Sequence, residues 1–144
     1  MTPYQEETKI EWNKIFDKIY CIHLIEYKDR LKELIDEFTR VGINVHSEYF
    51  EFRNTFRDPF YKYIFTNPNI VLSPWVTSAP EGVKAASYEH YKIIKEAYEM
   101  GYERILIFED DVRFLKDTEK LAKIINDTPR DMNIVLYDKF TTLL

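Results

Sequence analysis

The run Ile105-Leu106-Ile107-Phe108 is the feature that most restricts how this chain can fold. Successive residues of a strand point to opposite faces of the sheet, so a strand that is apolar at every position is covered on both faces. Sheets covered on both faces are mostly parallel and carry helices on each side. The run therefore predicts a central strand in an α/β sheet.

A strand–helix–strand unit is predicted nearer the start of the chain. Residues 19–25 are an apolar run of strand length, and residues 44–52 predict a second strand. Between them, apolar residues recur at helical spacing at Leu31, Leu34, Ile35, Phe38 and Val41. Asp29 is the predicted N-cap of this helix, and Gly42 is predicted to end it. The unit has the size of a βαβ motif.

The remaining patterns extend this alternation. A helix is predicted from residue 84 to just before Gly101, with one apolar face formed by Ala86, His90, Ile93, Ile94 and Ala97. Another amphipathic stretch contains Leu121, Ile124 and Ile125, and residues 132–137 predict a last strand. A short helix is predicted within residues 4–16, with Ile10, Trp12, Ile15 and Phe16 as its apolar anchors. We expect one α/β domain over residues 1–144, with a mostly parallel, Rossmann-like sheet and flanking helices.

Residues 52–81 follow neither a helical nor a strand pattern. Aromatic residues lie there among four prolines, and Trp75 follows the third of these prolines directly. Long irregular segments are often functional loops or lids. The segment is either such a loop, with Trp75 stacking on a base or sugar, or a plain loop held to the core by its aromatic residues.

Composition excludes several classes of protein. The chain has only three glycines, so neither a glycine-rich phosphate loop nor a dinucleotide-binding fingerprint can be drawn. The net charge of −5 argues against a nucleic-acid partner. The single cysteine, Cys21, is predicted to be a small core residue and is compatible with a reducing compartment. With no apolar stretch of signal-peptide or transmembrane length, we expect a cytoplasmic protein, for which peripheral membrane contact stays open.

Three acidic residues, Glu109-Asp110-Asp111, follow the buried strand directly. Ligands of open α/β sheets bind beyond the carboxyl ends of the strands. Adjacent carboxylates repel each other, and a hard cation such as Mg²⁺ or Mn²⁺ relieves that repulsion while bridging to substrate phosphates. The triplet is therefore a candidate metal and nucleotide site. The alternative is a solvated turn in which one of the acids caps the next segment.

The block from His90 to Glu109-Asp110-Asp111-Val112 resembles the core of the lipooligosaccharide glycosyltransferases of family 25, which act in lipopolysaccharide biosynthesis. In that family, Ser-His opens a helix that is followed by an apolar strand and then Glu-Asp-Asp. The early block also resembles the family, through Ile22-His23-Leu24, Asp29-Arg30 and Gly42. Three positions depart from the family pattern: His23 stands for Asn, Tyr27 for Arg, and Glu89 for Ser.

The resemblance implies the nucleotide-binding half of a GT-A glycosyltransferase, without the acceptor-side half. It implies an enzyme that moves a sugar from a nucleotide-sugar donor to a glycan or lipid-linked acceptor with the help of Mn²⁺ or Mg²⁺. Asp111 and Glu109 would hold the metal, and the donor would be bound by His23, Arg30, His90, Glu109 and Asp110. The other hypothesis is a truncated, non-catalytic module that binds nucleotide sugars or has a regulatory role. Metal-dependent phosphoryl chemistry would require a basic surface for polyanions, which the sequence lacks.

Single residues keep other interpretations. His23 is either a donor ligand or a strand-end histidine bonded to backbone, and Arg30 is either an anion ligand or part of a helix-surface ion pair. A histidine such as His90 on an apolar helix face is more often a core residue. Glu89 and Asp138 have the right side chain for a general base, but the sequence assigns that role to neither.

Overall fold

The structure is a computed structural model, which describes residues 9–55 and 81–131. Its described strands form a parallel sheet of three, in the order β2-β1-β3, where β1 is Lys18–Leu24, β2 is Phe50–Thr55 and β3 is Ile105–Glu109. The helices within the described ranges are α1 (Trp12–Ile15), α2 (Lys28–Arg40), α3 (Glu81–Met100) and α4 (Thr118–Asn126). The prediction of a parallel α/β sheet with flanking helices is confirmed at this level.

Apolar side chains cover both faces of the sheet. On one face, Leu106 and Phe108 of β3 join the larger core, in which the ring of Phe38 on α2 contacts four other phenylalanine rings, those of Phe50, Phe52, Phe108 and Phe114. On the other face, Ile105 and Ile107 pack against a smaller core that contains Ile93 of α3. The apolar run of β3 is thus explained by burial on two sides. Among the described strands the middle position belongs to β1, because β1 pairs with both of its neighbours.

Both predicted helix ends at glycine are confirmed. Gly42 follows α2 with a φ of 85°, and Gly101 follows α3 with a φ of 77°. Such positive φ values lie in the left-handed region of backbone conformation. Many helices end with a residue in this region, and glycine adopts it without steric strain. Cys21 and the predicted anchors Trp12 and Ile15 are buried, as expected. The predicted faces of α2 and α4 are also buried, through Leu34 and Phe38 and through Leu121 and Ile125.

Some predicted boundaries are wrong. The strand predicted over 44–52 begins only at Phe50, because Asn44 organises a turn in which its carbonyl accepts from the amide of Ser47 at 3.1 Å. The side-chain oxygen of Asn44 also accepts from the amide of His46 at 3.0 Å. Asparagine favours turns through such local bonds.

The helix predicted within residues 4–16 is shorter than expected, because in the described part of that range α1 covers only Trp12–Ile15. Two further helix predictions also need correction. Asp29 lies in the first turn of α2 and is not its N-cap, since the helix begins at Lys28. Its negative charge there still interacts favourably with the positive end of the helix dipole. Ile94 is 57% exposed, because the buried face of α3 is centred on Ile93 and Ala97 and a helix turns by 100° between successive residues. The predicted strand at 132–137 and the irregular segment with Trp75 lie outside the described residues, as does Asp138.

Candidate functional site

The acidic triplet lies at the carboxyl edge of the parallel sheet. Glu109 is the last residue of β3 and pairs with Ile22 of β1, two residues before the end of that strand. Directly after it, the amide of Val112 donates to the carbonyl of Glu109 at 3.1 Å, so residues 109–112 form a tight turn. The turn therefore sits beside the end of the middle strand, which is where open α/β sheets bind ligands.

Asp110 is the buried member of the triplet. Its Oδ2 lies 3.1 Å from Nδ1 of His23 and accepts from the amide of Leu24 at 3.1 Å. Its Oδ1 accepts from Nη1 of Arg30 at 3.2 Å, and the carboxylate is only 8% exposed. An ionised carboxylate can only accept hydrogen bonds, so Nδ1 of His23 is the protonated nitrogen of this pair. Three predicted site residues, His23, Arg30 and Asp110, are thus brought together.

This geometry gives His23 and Arg30 a shared partner, the carboxylate of Asp110. His23 is buried, and its hydrogen-bond partner among the described residues is this carboxylate and not a backbone group. Arg30 forms an ion pair from the first turn of α2, as one interpretation expected, but its partner is a buried acid 80 residues away in sequence. Its guanidinium also lies over the ring of Tyr27, 4.1 Å from the ring centroid.

Glu109 faces the opposite side of the sheet and meets His90 of α3. Nε2 of His90 lies 3.4 Å from Oε1 of Glu109, and the two side chains are 37% and 53% exposed. The hydrogen bond from His90 lowers the pKa of Glu109, which keeps this carboxylate charged. His90 is half-buried at the edge of the helix face and bonds to a site residue, so it is not a core histidine.

Asp111 is exposed, like Glu109, but lacks the partner that Glu109 has. Within residues 9–55 and 81–131 its side chain has no hydrogen-bond or ion-pair partner. The same ranges contain no group of three or more His, Cys, Asp or Glu side chains placed to hold a metal ion. Any cation bound at this edge would therefore take at most two of its ligands from the His, Cys, Asp and Glu side chains of these ranges.

The acidic turn affects the cysteine beneath it. Burial raises the pKa of the Cys21 thiol, and the charges of Asp110, Asp111 and Glu109 raise it further. Cys21 lies on the same face of the sheet as Asp110, in the larger core. The thiol is therefore held in its protonated form, which is unreactive.

Sequence reasoning missed a second charged group, on the α3 face of the sheet. Arg53 of β2 donates from Nε to Glu89 at 2.9 Å and from Nη1 to Glu51 at 2.8 Å, and Nη1 also bonds to Glu96. The side chains of Arg53 and Glu89 are only 15% and 5% exposed. Glu89 therefore forms a buried ion pair and is not available as a general base. The only signal in the sequence is the alternation of Glu51 and Arg53 with Phe50 and Phe52 along β2.

No model of a protein family, no curated protein and no solved structure matches this chain. None of the helices in the described ranges is long and apolar enough to cross a membrane.

Proposed function

We propose that this chain is a GT-A-like glycosyltransferase that moves a sugar from a nucleotide-sugar donor to a glycan or lipid-linked acceptor, assisted by Mn²⁺ or Mg²⁺. The observation that carries the proposal is the position of the acidic turn. It follows β3 at the carboxyl edge of a parallel sheet, and one of its carboxylates, that of Asp111, is exposed and unpartnered among the described residues. The sequence resemblance to family 25 supplies the reaction class.

Asp111 and Glu109 are the proposed metal ligands. Glu109 uses one oxygen toward His90, and its second oxygen has no hydrogen-bond partner among the described residues. Two carboxylates fit the chemistry, because Mg²⁺ is usually held by one or two carboxylates together with substrate phosphates and waters. A cation there supplies the positive charge that offsets the departing diphosphate. His90 keeps Glu109 oriented and ionised.

The test is a stability screen of nucleoside diphosphates with and without Mn²⁺. A ligand at about 100 times its Kd stabilises the folded state by roughly 2.7 kcal/mol. We expect one nucleoside diphosphate to raise the melting temperature only when Mn²⁺ is present, and Asp111→Asn to abolish that rise. Asp36→Asn is the matched control, because Asp36 is an exposed aspartate on α2 outside the acidic turn. Equal binding by wild type and Asp111→Asn would reject the metal site.

A transfer assay then separates an enzyme from a binding module. Release of nucleoside diphosphate from a donor sugar, dependent on an acceptor, supports the transferase. Metal-dependent donor binding without release for any acceptor supports the non-catalytic nucleotide-sugar-binding module. Of the two side chains considered for the general base, Glu89 is buried against Arg53 and Asp138 lies outside the described residues.

A further inference from the structure

The carboxylate of Asp110 is held in one position by its hydrogen bonds. Both of its oxygens are engaged, by donors that come from the end of β1 and from the first turn of α2. A metal or ribose ligand needs an accessible lone pair, whereas this carboxylate is 8% exposed and accepts from three donors. The resemblance nevertheless implied that Asp110, His23 and Arg30 contact the donor.

We propose that Asp110 is a positioning residue, and that His23 and Arg30 act on the site through it without contacting the donor. The inference rests on the proposed function, because it concerns the metal ligands Glu109 and Asp111 on either side of Asp110. We define the Asp110 clamp as Asp110, His23, Arg30 and the amide of Leu24. The clamp ties the turn after β3 to the end of the neighbouring strand and to α2.

The physical reason is the cost of an unpartnered buried carboxylate. Burial of an ionised group is strongly unfavourable unless charge-assisted hydrogen bonds replace the lost water. The clamp provides those bonds only when residue 110 sits at one position, so the backbone of the turn has little freedom. Because Glu109 and Asp111 are its direct neighbours in the chain, their relative placement follows from that of Asp110. Loss of a residue that hydrogen-bonds to a metal ligand typically costs 10- to 100-fold in metal affinity or activity, and we expect an effect of similar size from a residue that fixes the backbone between two ligands.

A double-mutant cycle on Mn²⁺-dependent nucleoside diphosphate binding tests the inference. We expect Asp110→Asn and Arg30→Met each to weaken the Kd by about 10-fold or more. Arg30→Met should have no further effect in the Asp110→Asn background, because Arg30 acts through Asp110. If Arg30 instead contacts donor phosphate, Arg30→Met weakens binding by the same factor in both backgrounds, and the inference is overturned.

Two further measurements separate positioning from general loss of stability. Mn²⁺ affinity without nucleotide, followed by electron paramagnetic resonance at a temperature where every variant is folded, should fall in Arg30→Met and stay unchanged in Asp36→Asn. His23→Gln, which retains a side-chain donor, should keep more of the Mn²⁺ affinity than His23→Leu. Unchanged Mn²⁺ affinity in Arg30→Met would overturn the positioning role. Arg30 is the main test site because its side chain is 43% exposed, so its replacement is unlike the loss of a core residue.

The outcomes also distinguish this inference from the proposed function. If Asp111→Asn abolishes metal-dependent binding while Asp110→Asn and Arg30→Met leave it intact, the proposed function stands and the clamp is not a positioning device. If the wild type shows no metal-dependent binding at all, the proposed function fails and the inference fails with it.

Discussion

Replacement of Arg53 by methionine should destabilise the protein strongly. Arg53 is the buried cation of the group on the α3 face, where its Nε bonds to Glu89 at 2.9 Å. Arg53→Met retains most of the packing of the side chain but leaves Glu89, which is only 5% exposed, without its closest cation. Lys92 remains, with Nζ 3.7 Å from Glu89, but its side chain is 39% exposed and its attraction is weakened by solvent.

The expected loss in the free energy of unfolding follows from this arrangement. Removal of one partner from a buried ion pair typically costs 3–5 kcal/mol, and the remaining lysine places the expected loss near the lower value, at about 3 kcal/mol. For a chain of 144 residues the entropy of unfolding is about 0.3 kcal/mol/K, so the melting temperature should fall by roughly 10 °C. Such a loss is a large part of the roughly 5–15 kcal/mol that stabilises a typical domain.

Urea denaturation at pH 7 measures this loss, and two variants control for its cause. Arg53→Met/Glu89→Gln should recover much of the lost stability, because the buried group is then neutral. Glu51→Gln should cost at most about 1 kcal/mol, since Glu51 is 41% exposed. A loss below about 1 kcal/mol in Arg53→Met, or a double variant no more stable than the single one, would refute the reasoning.

The same variant should show a changed pH dependence. The hydrogen bond from Arg53 lowers the pKa of Glu96 in the folded state. A carboxyl group with a lowered folded pKa contributes stability above its unfolded pKa, and that contribution is lost as the pH falls through the folded pKa. The stability difference between wild type and Arg53→Met should therefore shrink on acidification below about pH 4.5, the ordinary range of glutamate.

Two other predictions concern single positions. Gly42→Ala should lower the free energy of unfolding by about 1 kcal/mol in urea denaturation, because the residue has a φ of 85°. The cost comes from the backbone alone, since an added Cβ meets nothing closer than Nε1 of Trp12 at 4.0 Å. An unchanged denaturation midpoint would show that the backbone there relaxes. Cys21, the only cysteine, should resist a thiol-reactive disulfide reagent at pH 8 in the folded protein and react with it in denaturant. The reason is that burial and the nearby acidic residues raise the pKa of its thiol in the folded state. Complete labelling within seconds under native conditions would contradict its burial.

Local patterns were sufficient for the identity of most described elements. The apolar run of β3 and the helical spacing around Leu34 and Phe38 predicted elements that the structure contains. Gly42 and Gly101 were placed correctly as helix ends, because a positive φ at a helix end depends on a single residue. The start of β2 was predicted too early, at residue 44, because the strand prediction did not take into account the local hydrogen bonds by which Asn44 forms a turn.

The candidate site was predicted in its location but not in its internal arrangement. The position of Glu109-Asp110-Asp111 after an apolar strand was enough to place the triplet at a sheet edge. Its members nevertheless have three different environments: Glu109 bonds to His90, Asp110 is buried in the clamp, and Asp111 is exposed. Alternation along a strand sends neighbouring residues to opposite faces, but what lies on each face depends on distant parts of the chain.

Periodicity and turn chemistry are short-range properties, and for this chain they were enough to establish an α/β architecture and the place where a site would lie. The partners of its buried charges belong to the tertiary structure. His23, Leu24 and Arg30 reach Asp110 across 80 to 87 positions of sequence, and Arg53 reaches Glu89 across 36. The contacts to Asp110 exist because the parallel pairing of β1 with β3 brings the carboxyl ends of these strands together, whereas the pair of Arg53 with Glu89 depends on the packing of α3 against β2.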